Sequence, residues 1–200
     1  MFWTLPTILT WTRIVAIPLI VGVFYLSLPP HEANLIAALL FLAFAATDWL
    51  DGFLARRLKQ TSAFGAFLDP VADKFLVCAC LLVLVQLHRI DVFVALIIVG
   101  REIAISALRE WMAKLGASRS VAVHMVGKLK TVVQMVAILC LLYAVTPQSR
   151  PEAFKPWWND VVFVIGDWLL AGAALLTLWS AFMYLRAAWP FLRAGEGRGS

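Results

Sequence analysis

The sequence predicts an all-α integral membrane protein with six transmembrane helices and a polar basin in the cytoplasmic leaflet. Hydrophobic residues make up 62% of the 200 positions, whereas a soluble domain is nearer one half apolar. A bilayer requires about 20 apolar residues for each spanning helix. Six hydrophobic segments meet or approach that length, at approximately residues 8–28, 33–57, 69–88, 91–114, 121–146 and 160–190.

The charged residues of the four middle segments follow an alternating pattern. They come late in the second and fourth segments and early in the third and fifth. Because successive transmembrane helices cross in opposite directions, this pattern places the charged ends on one side of the membrane, where they form the polar basin. The residues concerned are Asp48, Asp51, Arg56, Asp69, Asp73, Lys74, Arg101, Glu102, Arg109, Lys128 and Lys130.

The connecting loops indicate which side this is. Arg57 and Lys59 follow the second segment, Arg119 follows the fourth, and Arg193 lies in the tail. Cytoplasmic loops carry an excess of lysine and arginine, so we expect the basin and both termini to be cytoplasmic. The net charge of +5 is interleaved with the spans, and we therefore expect no nucleic-acid partner. Asp167 does not fit the pattern, and we expect it to face a lipid headgroup or a partner helix.

We expect one transmembrane domain over residues 1–190 and a short disordered cytoplasmic tail over residues 191–200. The tail ends in Ala-Gly-Glu-Gly-Arg-Gly-Ser, which is poor in apolar residues. Such a composition buries too little apolar surface to compensate the entropy of ordering.

Four carboxylates are concentrated in the middle of the chain. Asp48 and Asp51 are three residues apart, which places them on one face of a helix, and Asp69 and Asp73 are four apart, on one face of another. A charged side chain at the centre of a bilayer helix costs about 2.5–3.5 kcal/mol on insertion scales. Two such helices facing each other would surround a hard cation with oxygen ligands.

The acidic segment has a more specific pattern, D-x2-D-G-x2-A-R-x8-G-x3-D-x3-D, which runs from Asp48 to Asp73. In this pattern the chain resembles the CDP-alcohol phosphotransferase family at every fixed position and spacing. Residues 5–13, 101–111 and 127–134 are similar to the bacterial branch whose acceptor is glycerol 3-phosphate, and the similarity covers about residues 4–190.

The resemblance implies a six-helix membrane fold, dependence on Mg²⁺ or Mn²⁺, and a homodimer. It also implies transfer of the phosphatidyl group from CDP-diacylglycerol to sn-glycerol 3-phosphate, with release of CMP. Such a reaction belongs to phosphatidylglycerol and cardiolipin synthesis in the bacterial inner membrane. The donor's acyl chains would remain in the lipid, so we expect a lateral opening to the site.

The resemblance also assigns roles to individual residues. It implies that Asp73 is the general base and also touches the metal. Gly65 is expected to permit the turn between the two acidic helices. Independently of the resemblance, helix geometry leads us to expect that Glu102 and Glu110, each adjacent to an arginine, point elsewhere on their helix. The implied metal ligands are Asp48, Asp51, Asp69 and Asp73; the CDP-binding residues are Thr10, Gly52, Ala55, Arg56 and Gly65; and the acceptor-phosphate cations are Arg101, Arg109, Lys128 and Lys130.

Two alternatives remain open from the sequence. Within the family, the acceptor could be that of a phosphatidylserine, cardiolipin or phosphatidylinositol-phosphate synthase, although the surplus of cations favours a phosphorylated acceptor. Outside the family, membrane-embedded carboxylates also mark ion pathways, so a divalent-cation transporter is the other alternative. A transporter predicts carboxylates spread across the membrane depth, whereas here they are concentrated in one leaflet.

Overall fold

The computed structural model describes the backbone of residues 5–58, 63–114, 124–145 and 156–196, and the side chains of residues 11–47, 71–112, 129–145 and 156–189. Within these ranges every regular element is an α-helix, as the sequence predicts. The helices are α1 (Leu5–Val23), α2 (Pro30–Leu58), α3 (Ala63–Gln86), α4 (Val92–Lys114), α5 (His124–Tyr143) and α6 (Trp157–Glu196).

The helices differ from the predicted segments at several ends. Helix α1 ends at Val23, before the predicted end at residue 28. Helix α3 begins at Ala63, before the apolar run that predicts it, and α6 continues to Glu196, into the tail predicted to be disordered. A hydropathy pattern marks where lipid contact ends, whereas the backbone hydrogen bonds of a helix continue through polar residues. The sequence therefore predicts these six helices but not their full length.

Two stretches of the described helices are long and apolar enough to cross a membrane. They are Pro30–Thr47 in α2 and Trp157–Trp189 in α6, and only 28% of each is buried inside the protein. Core helices of soluble proteins are mostly buried. Large apolar side chains such as Leu82, Phe93 and Leu175 are more than 60% exposed, which is typical of a surface that faces lipid. These features indicate a membrane protein; the six-span topology stays a prediction.

The chain divides into two compact units. The first contains Met1–Ile90 and Ala137–Asp167, and the second contains Asp91–Val136 and Trp168–Ser200. In the first unit α1 packs against both α2 and α3. In the second, α4 and α6 share an apolar cluster formed by Ile105, Met112, Tyr184 and Ala188.

A buried arginine caps the C-terminal end of α5 in the first unit. Arg89, which is 6% exposed, donates through Nη1 to the carbonyls of Leu141 (2.7 Å) and Leu142 (2.8 Å), and through Nη2 to Oδ1 of Asn34 (2.7 Å). The last four carbonyls of a helix have no partner within it and form its negative end. Burial lowers the pKa of Arg89 to about 10, so the guanidinium still carries its charge at neutral pH.

Two asparagines satisfy the next backbone groups. The amide of Asn34 donates to the carbonyls of Tyr143 (3.3 Å) and Ala144 (3.2 Å). The Asn159 amide accepts from the Val145 N–H (2.9 Å) and donates to the Val145 carbonyl (2.8 Å). Every carbonyl from residue 141 to residue 145 therefore has a side-chain donor, which is what a buried helix end requires.

The turn after α3 presents Arg89 to this helix end. His88 has a positive φ of 53°, its N–H bonds the Val85 carbonyl, and the Arg89 N–H bonds the Leu84 carbonyl. These two bonds, with a left-handed residue between the helix and the chain that follows, form a Schellman motif. The motif stops α3 and fixes the backbone of Arg89.

Helices α5 and α6 approach closely where α6 has a glycine. A Cβ atom on Gly166 would lie 2.9 Å from Cγ of Leu141 and 3.0 Å from Cβ of Cys140. Small residues permit such close approach between membrane helices. Near this contact the rings of Tyr143 and Trp158 stack, with centroids 5.7 Å apart.

The arginine cap predicts a large loss of stability on truncation. Arg89→Ala leaves two buried carbonyls without a charged donor, and we expect a cost of ~3 kcal/mol and a melting temperature in detergent lower by about 6–12 °C. Arg89→Lys should restore part of the loss. The exposed Arg186 supplies the control, since Arg186→Ala should change little; equal effects of the two alanine variants would contradict the capping role.

The glycine contact predicts opposite effects at two positions of α6. Gly166→Ala should destabilise the protein by about 1–3 kcal/mol, because the methyl group overlaps helix α5. A Cβ on Gly172 meets no atom within 4 Å, so Gly172→Ala should be neutral or stabilising by up to about 1 kcal/mol. Thermal unfolding of both variants measures the difference, and similar melting temperatures would show that the close approach does not matter.

Candidate active site

The backbone places the acidic motif on two successive helices, as predicted. Asp48, Asp51, Gly52, Ala55 and Arg56 lie in α2. Asp51, Gly52 and Ala55 follow Asp48 by three, four and seven residues within this helix, so Asp48 and Asp51 share one helix face. The side chains of these residues are outside the described part of the chain.

The second half of the motif lies in α3. Asp69 and Asp73 are separated by one helical turn there, so the i, i+4 relation used in the prediction is confirmed at the level of the backbone. Gly65 also lies in the first turn of α3; the residues between the two helices are outside the described part of the chain, so its role in permitting the turn stays a prediction. Because α3 begins at Ala63, the connection is shorter than the apolar pattern suggests.

Asp73 is the motif carboxylate whose side chain is described. It is half-buried, and the neighbouring Ala72 is fully buried. Among the described side chains, three or more metal-ligating residues are nowhere gathered, but Asp48, Asp51 and Asp69 lie outside that set. The metal-ligand assignment therefore stays a prediction.

The second unit contains an ion cluster built from adjacent helices. On α4, Arg101 Nη1 donates to Glu102 Oε1 at 2.9 Å, and on α5, Lys130 Nζ donates to the same oxygen. The Lys130 side chain is 2% exposed, and Glu102, at 26%, is the most exposed member of the cluster. The structure thus brings together two of the four predicted acceptor cations.

The expectation that Glu102 points away from this group is wrong. Adjacent residues on a helix do not face each other at Cβ, but the long side chains of Arg101 and Glu102 bend toward each other, and Lys130 approaches from α5. The cluster of two cations and one carboxylate carries a net charge of +1, so the surplus of positive charge is smaller than the sequence suggests.

Helix α6 contributes a residue that sequence reasoning did not single out. Ser180, which is 1% exposed, accepts a hydrogen bond from Nη2 of Arg101. A small hydroxyl within a long apolar helix was the available signal. One turn earlier, Thr177 is fully buried, and its hydroxyl makes no hydrogen bond among the described residues.

The other predicted site residues are distributed as follows. Arg109 lies on α4 with an exposed side chain, and Lys128 lies on α5 with its side chain outside the described residues, as does that of Thr10 on α1. Helix α1 also carries a buried cation, Arg13, which is 3% exposed. Asp167 is exposed on α6, and its facing a headgroup or a partner helix stays a prediction.

Comparison with known proteins identifies the class. The profile of the CDP-alcohol phosphatidyltransferase family matches residues 3–179, which is most of the chain and includes the whole acidic motif. The chain belongs to this family.

Three relatives within the family share one more specific name. The chain is 51% identical over 187 residues to a protein of Sodalis glossinidius, covering 92% of this chain and 94% of the relative. It is 48% identical over 191 residues to a protein of Escherichia coli K12, covering 94% and 96%. A protein of Pectobacterium atrosepticum is 47% identical over 190 residues, with the same coverage. All three are named CDP-diacylglycerol–glycerol-3-phosphate 3-phosphatidyltransferase.

Proposed function

We propose that this chain transfers the phosphatidyl group of CDP-diacylglycerol to sn-glycerol 3-phosphate, giving phosphatidylglycerophosphate and CMP. The observation that carries the proposal is the complete acidic motif on α2 and α3. It occurs in a chain that is 47–51% identical, over more than nine tenths of its length, to enzymes named for this reaction. The product leads to phosphatidylglycerol and cardiolipin.

In the reaction, a hydroxyl oxygen of glycerol 3-phosphate attacks the β-phosphorus of the donor. The bond between that phosphorus and the CMP oxygen breaks, and CMP leaves with the electron pair. Donor and acceptor are both anionic, so the protein must reduce the repulsion between them. Transfers of this kind are catalysed mainly by positioning and charge stabilisation.

We propose Asp48, Asp51 and Asp69 as the ligands of a divalent ion, Mg²⁺ or Mn²⁺, with Asp73 completing the set. The donor set fits, because carboxylate oxygens on two helices are the ligands that such ions prefer. When bound, the ion supplies charge neutralisation at the pyrophosphate and the leaving oxygen. Asp73 also takes the proton of the attacking hydroxyl as general base.

The remaining motif residues are proposed to hold the CDP group. Gly52 and Ala55 lack bulk beside the aspartates, which lets the nucleotide approach the backbone of α2. Arg56 offers a bidentate partner to the pyrophosphate, and Thr10 and Gly65 complete the CDP-binding set. Arg101, Arg109, Lys128 and Lys130 are proposed to bind the acceptor's phosphate.

The proposal includes a topology. All six helices cross the bacterial inner membrane, both termini are cytoplasmic, and the charged helix ends form a basin in the cytoplasmic leaflet with a lateral opening for the donor's acyl chains. The support is the alternation of charge along the sequence and the positive-inside bias. We also propose a homodimer, as the family resemblance implies.

Metal removal tests the proposed chemistry directly. Purified protein in detergent, supplied with CDP-diacylglycerol and glycerol 3-phosphate, should release CMP with Mg²⁺ present and stop when the ion is chelated. Restoring Mg²⁺ should restore the rate, and Mn²⁺ should be compared in parallel. CMP release that persists in excess chelator would contradict the metal assignment.

The assignment of the base predicts the effect of one isosteric change. Asp73→Asn should lower turnover by a factor of about 10² or more, the typical contribution of a general base, while metal-dependent CDP binding is partly retained. Asp167→Asn, an exposed aspartate outside the motif, is the matched control and should retain turnover. Near-normal turnover of Asp73→Asn would show that another group accepts the proton.

The acceptor assignment predicts a selective change in Michaelis constants. Arg109→Ala and Lys128→Ala should each raise KM for glycerol 3-phosphate by about 10-fold, the order of one charge-assisted hydrogen bond, with little change in KM for CDP-diacylglycerol. Arg186→Ala provides the control for loss of a positive charge. Equal increases for both substrates would indicate that these cations balance the aspartates instead of binding the acceptor.

A further inference from the structure

We infer that Glu102 and Ser180 are positioning residues that orient Arg101 and Lys130 toward the phosphate of the acceptor. The inference rests on the proposed function, in which these two cations bind that phosphate. It goes further by assigning a role to a carboxylate and a hydroxyl that lie outside the acidic motif.

The first support is the way one carboxylate oxygen joins the two cations. Oε1 of Glu102 accepts from both Arg101 and Lys130. Without this carboxylate the two cations would repel each other, and Lys130, with 2% of its side chain exposed, would be a buried charge without compensation. A buried charge that loses its partner is strongly unfavourable. Glu102 therefore fixes the spacing of the two cations.

The second support is the hydrogen bond on the other side of the guanidinium. Nη1 of Arg101 bonds Glu102, and Nη2 bonds the buried hydroxyl of Ser180. A planar guanidinium that is held at two nitrogens, by groups on α4 and α6, has a fixed orientation. The Arg101 side chain is 11% exposed, which leaves it little room to adopt another.

The third support is that Arg101 and Lys130 have more N–H donors than these contacts occupy. A guanidinium has five N–H donors and an ammonium has three; within the described part of the chain, Glu102 and Ser180 accept two from Arg101 and Glu102 accepts one from Lys130. Nε of Arg101 is buried and has no hydrogen-bond partner among the described residues. Among the described residues the cluster thus combines fixed geometry, a net positive charge and N–H donors that these contacts leave over, which suit a phosphate ligand.

A second hydrogen bond at Glu102 involves its backbone carbonyl and not its carboxylate. The hydroxyl of Ser106 donates to the Glu102 carbonyl at 2.6 Å, a common bond within a helix. Ser106 is therefore close to Glu102 in the chain but separate from the ion cluster, and it serves as a local control.

The test measures steady-state constants for Glu102→Gln, Glu102→Asp and Ser180→Ala. Glu102→Gln keeps the size of the side chain but removes its charge. We expect it to raise KM for glycerol 3-phosphate by about 10-fold, within the ~10²-fold that a 1 Å misplacement can cost. KM for CDP-diacylglycerol should change less than twofold. Glu102→Asp should recover part of the effect, and Ser180→Ala should show a smaller change in the same direction.

Matched controls separate positioning from general damage to the fold. Thr177→Val, one turn from Ser180 on α6, removes a buried hydroxyl that has no hydrogen-bond partner in the described structure, and it should leave both constants unchanged, as should Ser106→Ala. Melting temperatures in detergent identify variants that do not fold. If Glu102→Gln proves too unstable, Ser180→Ala compared with Thr177→Val still tests the inference.

The outcomes distinguish this inference from the proposed function. If Arg101→Ala and Lys130→Ala raise KM for glycerol 3-phosphate but Glu102→Gln and Ser180→Ala do not, the positioning role is wrong and the acceptor site stands. A lower KM in Glu102→Gln would also overturn it, because it would show that the carboxylate competes with the phosphate. If Arg101→Ala and Lys130→Ala leave KM unchanged, the assignment of these two cations to the acceptor fails and the inference fails with it.

Discussion

The carbonyl groups at the end of α5 need hydrogen-bond donors, because the residues of this helix end are buried inside the protein. Arg89 supplies donors to Leu141 and Leu142, and Asn34 supplies the next two. An unsatisfied backbone group costs several kcal/mol in lipid. This requirement explains why an arginine and an asparagine are buried among hydrophobic side chains, and it joins the start of α2, the turn after α3 and the end of α5.

The same requirement changes how the charges of this chain are interpreted. In the sequence, Arg89 lies in the connection between two hydrophobic segments and would be counted as a loop charge. In the structure its guanidinium is buried on carbonyls and on Asn34. Arg89 therefore has a structural role at this helix end, whichever side of the membrane the loop lies on.

In the second unit, buried polar and charged groups also satisfy one another. Arg101 and Lys130 are held by one carboxylate, and Ser180 on α6 binds the other side of Arg101. Helices α4, α5 and α6 thus meet at this polar cluster. On α4, Glu102 is followed closely in sequence by Ile105, which belongs to the apolar cluster between α4 and α6. These contacts hold the guanidinium of Arg101 between α4 and α6, which is the arrangement on which the proposed positioning role rests.

Sequence patterns predicted the features that depend on local spacing. The helical placement of Asp48, Asp51, Asp69 and Asp73 follows from i, i+3 and i, i+4 relations, and the motif they form identified the family. Patterns failed where the outcome depends on contacts between distant residues. The pairing of Glu102 with Lys130 joins residues 28 positions apart, and the cap on α5 joins Arg89 to Leu141 across 52. No periodicity in one segment carries that information.

The central claim, that the protein transfers a phosphatidyl group to glycerol 3-phosphate, is tested most directly by finding which acceptor it uses. Purified protein with Mg²⁺ and CDP-diacylglycerol is supplied in parallel with labelled glycerol 3-phosphate, serine, phosphatidylglycerol and inositol phosphate, and both CMP and labelled lipid are measured. The account predicts that label enters lipid from glycerol 3-phosphate alone, with one CMP released for each lipid formed. Label entering from another acceptor, or no CMP release with any of the four, would contradict it.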